Sequence, residues 1–213
     1  MESVVLPIDH GPLVPAPKFA GNPGKLEGWA FVPRSLPARA PLVVVLHGCT
    51  QNAAAYDQGS GWSKLAVEAG FAVLYPEQNR ANNPNLCFNW FVPGDVTRGQ
   101  GEVESIRQMI AAMVAAHNLD PARVFITGLS AGGAMTASML ATAPELFAGG
   151  AIIAGVAHGP AGTMDGGLGR VRGGALPDAA PTARMARAAS THAGPWPRLS
   201  VWHGSADSTV DAA

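Results

Sequence analysis

The chain has 213 residues, of which 47% are hydrophobic and 14% charged, and its net charge is −1. That length suits one domain with a sizeable core. A charged share well under the usual one, beside so much apolar residue, excludes a disordered chain. With no basic run it is not built for nucleic acid or an anionic membrane surface, and no apolar stretch approaches a membrane span.

Residues 1–24 are rich in Pro and Gly and lack periodicity, so they read as an extended arm. Their start, MESVVLPIDHGPLVPAPK, has neither the basic opening nor the unbroken apolar core of a signal peptide. From residue 25 onward the chain reads as one domain. Leu26 to Val32 predicts a strand, and Leu42 to Leu46, apolar at every position, predicts a central parallel strand covered on both faces. A helix is expected over Ser60 to Gly70, burying Trp62, Leu65, Ala66 and Ala69, with Gly70 as its stop. Phe71 to Tyr75 is the next buried strand. Pro76 to Gly101 reads as a long loop, a length that in a compact domain usually carries function.

Glu102 to His117 gives the clearest helical periodicity, with acidic residues in the first turn to suit the dipole and Asn118 to end it. Val124 to Thr127 is a short buried strand, and an Ala/Met/Leu helix runs to Leu140. A further strand is expected at Ala151 to Ala154, a helix near Thr182 to Ala189, and a last strand at Leu199 to Trp202. Strands alternating with helices predict an α/β fold with a mostly parallel, doubly wound sheet.

Between the strand at Val124 and its helix lies Gly128-Leu129-Ser130-Ala131-Gly132, a G-x-S-x-G pattern in the strand–turn–helix context of a nucleophile elbow. The turn is tight enough to require glycine at both flanks. The plainer alternative is that Ser130 caps the helix. His47 to Gln51 and His203 to Asp207 also leave the carboxyl ends of predicted strands, where such sheets bind ligands. Serine needs a general base, the base a carboxylate, and the tetrahedral oxyanion two N–H donors. Ser130 is then the nucleophile, Asp207 the acid, and the N–H groups of Cys49 and Ala131 the oxyanion donors. Asp165, Asp178 and Asp211 are the other acids considered. His47 and His203 read as structural residues that shape strand ends. In this order of triad the histidine follows the acid, and none follows Asp207; His158 and His192 are the non-standard candidates. Cys49 and Cys87 either pair or stay reduced in a cytosolic protein.

The blocks PLVVVLHGCTQ (41–51), GFAVLYPEQNRANNPNLCFNWF (70–91), SIRQMIAAMVAAHNLDPARVFITGLSAGGAMTA (105–137) and PWPRLSVWHGSAD (195–207) resemble the poly(3-hydroxybutyrate) depolymerase-type esterases, which are α/β-hydrolases similar to feruloyl and acetylxylan esterases. The resemblance implies the same roles for Ser130, Asp207, Cys49 and Ala131. It further implies a Cys49–Cys87 disulfide, an oxidising (extracellular or periplasmic) compartment and a substrate-facing Trp90. It also implies final strands, a helix and a histidine after Asp207, so the expectation is a truncated chain with an exposed sheet edge that favours self-association.

The function expected is a serine carboxylic-ester hydrolase working through an acyl-enzyme without metal or cofactor. Its substrates would be short acyl esters or hydroxyalkanoate polyesters, or else feruloyl or acetylxylan esters of the plant wall. A catalytically impaired relic that only binds is the alternative from another class. A redox protein is remote, because the two cysteines lack the C-x-x-C form.

Overall fold

The computed structural model describes residues 11–159 and 179–210. Seven strands form one mixed sheet in the order β1-β2-β4-β3-β5-β6-β7. They are β1 (Val14–Pro15), β2 (Glu27–Phe31), β3 (Leu42–Leu46), β4 (Ala72–Glu77), β5 (Val124–Leu129), β6 (Gly149–Ile153) and β7 (Arg198–Trp202). The helices are α1 (Ala53–Ser60), α2 (Trp62–Ala69), α3 (Gly101–His117), α4 (Ala131–Thr142) and α5 (Ala179–Ala188). From β4 through β7 the neighbouring strands run parallel, while β1 and β2 join antiparallel. Part of the expected N-terminal arm is therefore a short sheet edge. Pro15 is tolerated there because an edge strand need not donate on its outer side.

β3 lies at the middle of the sheet and all five of its residues are buried. One core on α3 and α4 joins Leu42, Val44 and Leu46 to Ile106, Met109, Met113, Met135 and Met139. The other face packs Val43, Val45 and Tyr75 against Ala53, Tyr56 and Ala66 of α1 and α2. Alternate β3 residues thus feed opposite layers, which is why its sequence is apolar throughout. α4 is buried along its whole length, consistent with an Ala/Gly/Met composition that lets strand backbones approach closely.

Several expectations are corrected. α1 was not anticipated; Asn52 caps it by accepting the Ala55 N–H at 2.8 Å, and Gly61 ends it in the left-handed region. α2 does not bury Leu65 or Ala69. It turns Ser63 and Ala66 inward, because Ser63 N–H donates to Asp57 at 2.8 Å and only small residues fit that close to β4. Phe125, expected in the core, is 38% exposed. The long loop is slightly shorter than expected, because β4 runs on to Glu77 and α3 already begins at Gly101, and it holds one 3-10 turn at Pro93–Asp95. Asp165, Asp178, Asp211 and His10 lie outside the described residues.

Candidate active site

β5 delivers the chain into a sharp reversal at Ser130, whose φ of 56° and ψ of −118° lie where L-residues are strained. Two backbone bonds hold it there: Ser130 N–H donates to Ile153 O at 2.9 Å, and Ala134 N–H donates to Ser130 O at 2.9 Å. The flanking glycines are steric requirements. A Cβ on Gly128 would sit 2.2 Å from Gly132 O, and one on Gly132 would sit 2.3 Å from Leu46 O. Ser130 occupies the position before the first turn of α4, yet its hydroxyl makes no capping bond. The simple helix-cap alternative thus loses its physical basis.

The turn leaving β3 lies alongside. Gly48 N–H donates to Gln51 Oε1 at 2.7 Å and Thr50 N–H to Asn85 O at 2.8 Å, so the turn is tied both to itself and to the long loop. His47 is fully buried. Its Nε2 accepts the Gln78 N–H at 3.1 Å, which leaves Nδ1 to donate to Gly48 O at 2.7 Å. Burial lowers its pKa, so it is a neutral structural ring, as its position at the strand end led us to expect. The N–H groups of Cys49 and Ala131 donate to no other described residue.

Cys49, Cys87, Trp90, Ser130, Ala131 and Val210 line one cavity of about 200 Å³. Cys49 and Cys87 are disulfide-bonded. Trp90 is only 7% exposed and sits edge-on to Phe91, 5.6 Å between centroids, so it forms a wall of the cavity and not a free surface. Asp207 accepts the N–H groups of Val210 at 3.0 Å and Thr209 at 2.9 Å, which hold its carboxyl below the usual carboxylate range. Those two donors are themselves cavity-lining residues. The Asp207 carboxylate also faces His203 Nε2 at 3.4 Å, and that nitrogen lies 2.8 Å from Val210 O.

The described histidines are engaged elsewhere. His158 is buried with Nδ1 3.1 Å from the Ser138 hydroxyl, and burial lowers its pKa; it lines a separate apolar cleft under α5. His192 Nε2 lies 3.0 Å from Pro195 O, with the ring edge-on to Trp196. Neither bonds the Ser130 hydroxyl. No group of histidine, cysteine and acidic residues suited to a metal ion occurs among the described residues.

A family model described as Esterase PHB depolymerase matches residues 30–213. The chain belongs to that family. Relatives of the Esterase PHB depolymerase chain include poly(3-hydroxyalkanoate) depolymerase C of Paucimonas lemoignei, 51% identical across 92% of this chain and 47% of that protein. A probable acetylxylan esterase A of Neosartorya fischeri is 32% identical across 98% of this chain and 58% of that protein. The chain therefore spans about half the length of the curated relatives it matches. Among solved structures, an acetyl xylan esterase from Aspergillus awamori superposes with a TM-score of 0.86 at 28% identity, covering 95% of this chain and 75% of that one. The fold is that of the α/β-hydrolases, as the resemblance implied.

Sequence reasoning missed two parts of this site. Thr209 and Val210 line the cavity and hold Asp207, which a reading that stopped at the acid does not reveal. Glu102, expected only as a first-turn acid that suits the helix dipole, is fully buried. The one available signal was the asparagine-dense run from Asn79 to Asn89, far richer in side-chain amides than a passive loop requires.

Proposed function

We propose that this chain carries the nucleophile, oxyanion and acid elements of a serine carboxylic-ester hydrolase that works through an acyl-enzyme. The observation that carries the reading is Ser130, held at positive φ on a strand–helix turn, sharing a cavity with Cys49 and Ala131, whose N–H groups have no other described acceptor. Ser130 Oγ forms a bond to the acyl carbon while its proton passes to a base. The carbonyl oxygen becomes an oxyanion held by the Cys49 and Ala131 N–H groups, and loss of one such donor typically costs about 3–4 kcal/mol of transition-state stabilisation. The ester's alcohol leaves with a proton, and water then cleaves the acyl–Oγ bond to release the acid. Asp207 would orient and balance the charge of a histidine base. The reaction needs no metal or cofactor.

Substrates proposed are short acyl esters and hydroxyalkanoate polyesters, on the strength of the depolymerase relative at 51% identity. Acetylxylan esters are the second reading, favoured by the fungal relatives and the superposed structure. The disulfide supports an extracellular or periplasmic setting. Residues 25–213 are read as a single domain behind an N-terminal arm.

One observation favours a binding-only alternative: no described histidine bonds Ser130. A fluorophosphonate probe separates the two. Slow labelling of Ser130, abolished in Ser130→Ala and accelerated by added imidazole as a substitute base, is expected for the hydrolase. Hydrolysis of a p-nitrophenyl ester should likewise be slow, since oxyanion donors and binding alone supply only about 10³–10⁴ over water. No labelling with or without imidazole would support the binding-only reading. Release of hydroxybutyrate from oligomers, against acetate from acetylated xylan, decides the substrate class.

A further inference from the structure

The loop from Gln78 to Gln100 buries Phe88, Asn89, Trp90 and Phe91 although it contains no strand and one short 3-10 turn. A single carboxylate organises it. Glu102, the second residue of α3, accepts Gln78 Nε2 at 2.6 Å and Asn82 Nδ2 at 3.1 Å on Oε1, and the Asn89 N–H at 2.8 Å on Oε2. Gln78 Nε2 also donates to Cys87 O at 3.0 Å, and the Gln78 N–H donates to His47, which in turn holds Gly48 O. From one carboxylate, bonded paths thus run to the Cys87–Trp90 wall and to the turn that presents the Cys49 N–H.

Burying a carboxyl costs several kcal/mol unless its oxygens are satisfied. A helix-dipole partner has no need of burial, because the dipole stabilises an exposed first-turn acid. The chain also builds specifically around Glu102: a Cβ on Gly24 would lie 2.4 Å from the Glu102 Cα. Backbone from the segment before β2 is pressed directly over the helix start.

We propose that Glu102 is a positioning residue for the cavity above Ser130, its buried carboxyl fixing the Cys87–Trp90 wall and, through Gln78 and His47, the oxyanion turn. The consequence for catalysis rests on the esterase reading; the positioning itself does not. Burial and the neighbouring charge of Asp95 push the Glu102 carboxyl up to about 8, against the opposing pull of its Asn89, Gln78 and Asn82 donors. Asp95, on the 3-10 turn, accepts the Glu102 N–H and is the acid that faces it. Buried His47 is one bond beyond Gln78, while Lys25 and Arg80 of the adjoining segments are exposed. Because the folded pKa lies above the unfolded one, the neutral form's contribution to stability is complete below about 4.5. It is lost as pH rises through about 8.

The test is NMR of the full chain from pH 5 to 10, following the Asn89 amide and the Trp90 indole, together with the rate of Ser130 labelling. In the wild type both signals should titrate together on the alkaline side of neutrality. Glu102→Gln, which keeps the volume and an acceptor oxygen but cannot ionise, should abolish the titration. Glu102→Ala, which leaves the Gln78, Asn82 and Asn89 donors without their acceptor, should cost the Asn89 amide its exchange protection and slow labelling about tenfold, as small misplacements at a reacting centre do. A folded Glu102→Ala with Asn89 protection and the labelling rate unchanged would overturn the proposal. If that variant does not fold, Glu102→Asp decides: its shorter carboxyl should loosen the Asn89 amide, and protection and labelling equal to the wild type would overturn it. Failure of the wild type to label at all would sink the esterase reading and leave the NMR result standing.

Discussion

Ser130 combines a chemical role with a conformational cost. A non-glycine residue at its φ and ψ typically stores about 1–3 kcal/mol, offset here by the two backbone bonds that clamp the turn. Ser130→Gly is therefore expected to stabilise the fold by about 1 kcal/mol, read from the urea midpoint, while removing all fluorophosphonate labelling. A destabilised Ser130→Gly would mean the serine is held by contacts rather than strained. At this scale the sequence was informative. Gly128 and Gly132 predicted their own steric reason, and Ser130, Ala131 and Cys49 meet in one cavity. The burial of Glu102 left no mark for a physical reason: an acid in a first helical turn looks the same in sequence whether it faces solvent or the core.

Among elements, the long loop after β4 and the turn after β3 behave as one unit. They are joined by the Cys49–Cys87 disulfide across 38 residues, by Thr50 N–H to Asn85 O, and by Gln78 to His47. Closing a loop of that length restricts the unfolded chain by about 4 kcal/mol in the chain-entropy account. Cys87→Ala is expected to lose about 2–4 kcal/mol of stability by denaturant titration, and the loss should shrink to nothing when the wild type is measured fully reduced. Equal stability of oxidised wild type and variant would show that the hydrogen-bonded frame around Glu102 alone holds the unit. The central strands were legible here because burial on both faces leaves an uninterrupted apolar run. α1 and the inward face of α2 were not, since α1 buries only Ala53 and Tyr56 and α2 only Ser63 and Ala66, too few to stand out as an apolar stripe.

For the molecule as a whole, β7 is the exposed margin of the sheet. All five of its residues are exposed, Leu199 by 58%, Val201 by 62% and Trp202 by 64%. Contiguous apolar area on a strand edge invites pairing with another chain. The 213-residue chain taken by itself is expected to self-associate in a concentration-dependent way, and Val201→Lys, at an exposed position, should shift sedimentation toward the monomer without changing circular dichroism. A wild type monomeric at high concentration would remove that expectation.

By itself the sequence determined the strand–helix alternation, the central buried strands, the elbow around Ser130 and the family, because each rests on local pattern: period, steric need at a turn, or a run of motif. Tertiary structure alone decided what the polar residues do. It made Glu102 the hub of a buried network, put His47 inside the turn after β3 and His158 under a different cleft, and made Trp90 a wall of the cavity. Those roles depend on which distant segments meet. A residue's desolvation and its partners are properties of that meeting and leave no periodic trace in the chain.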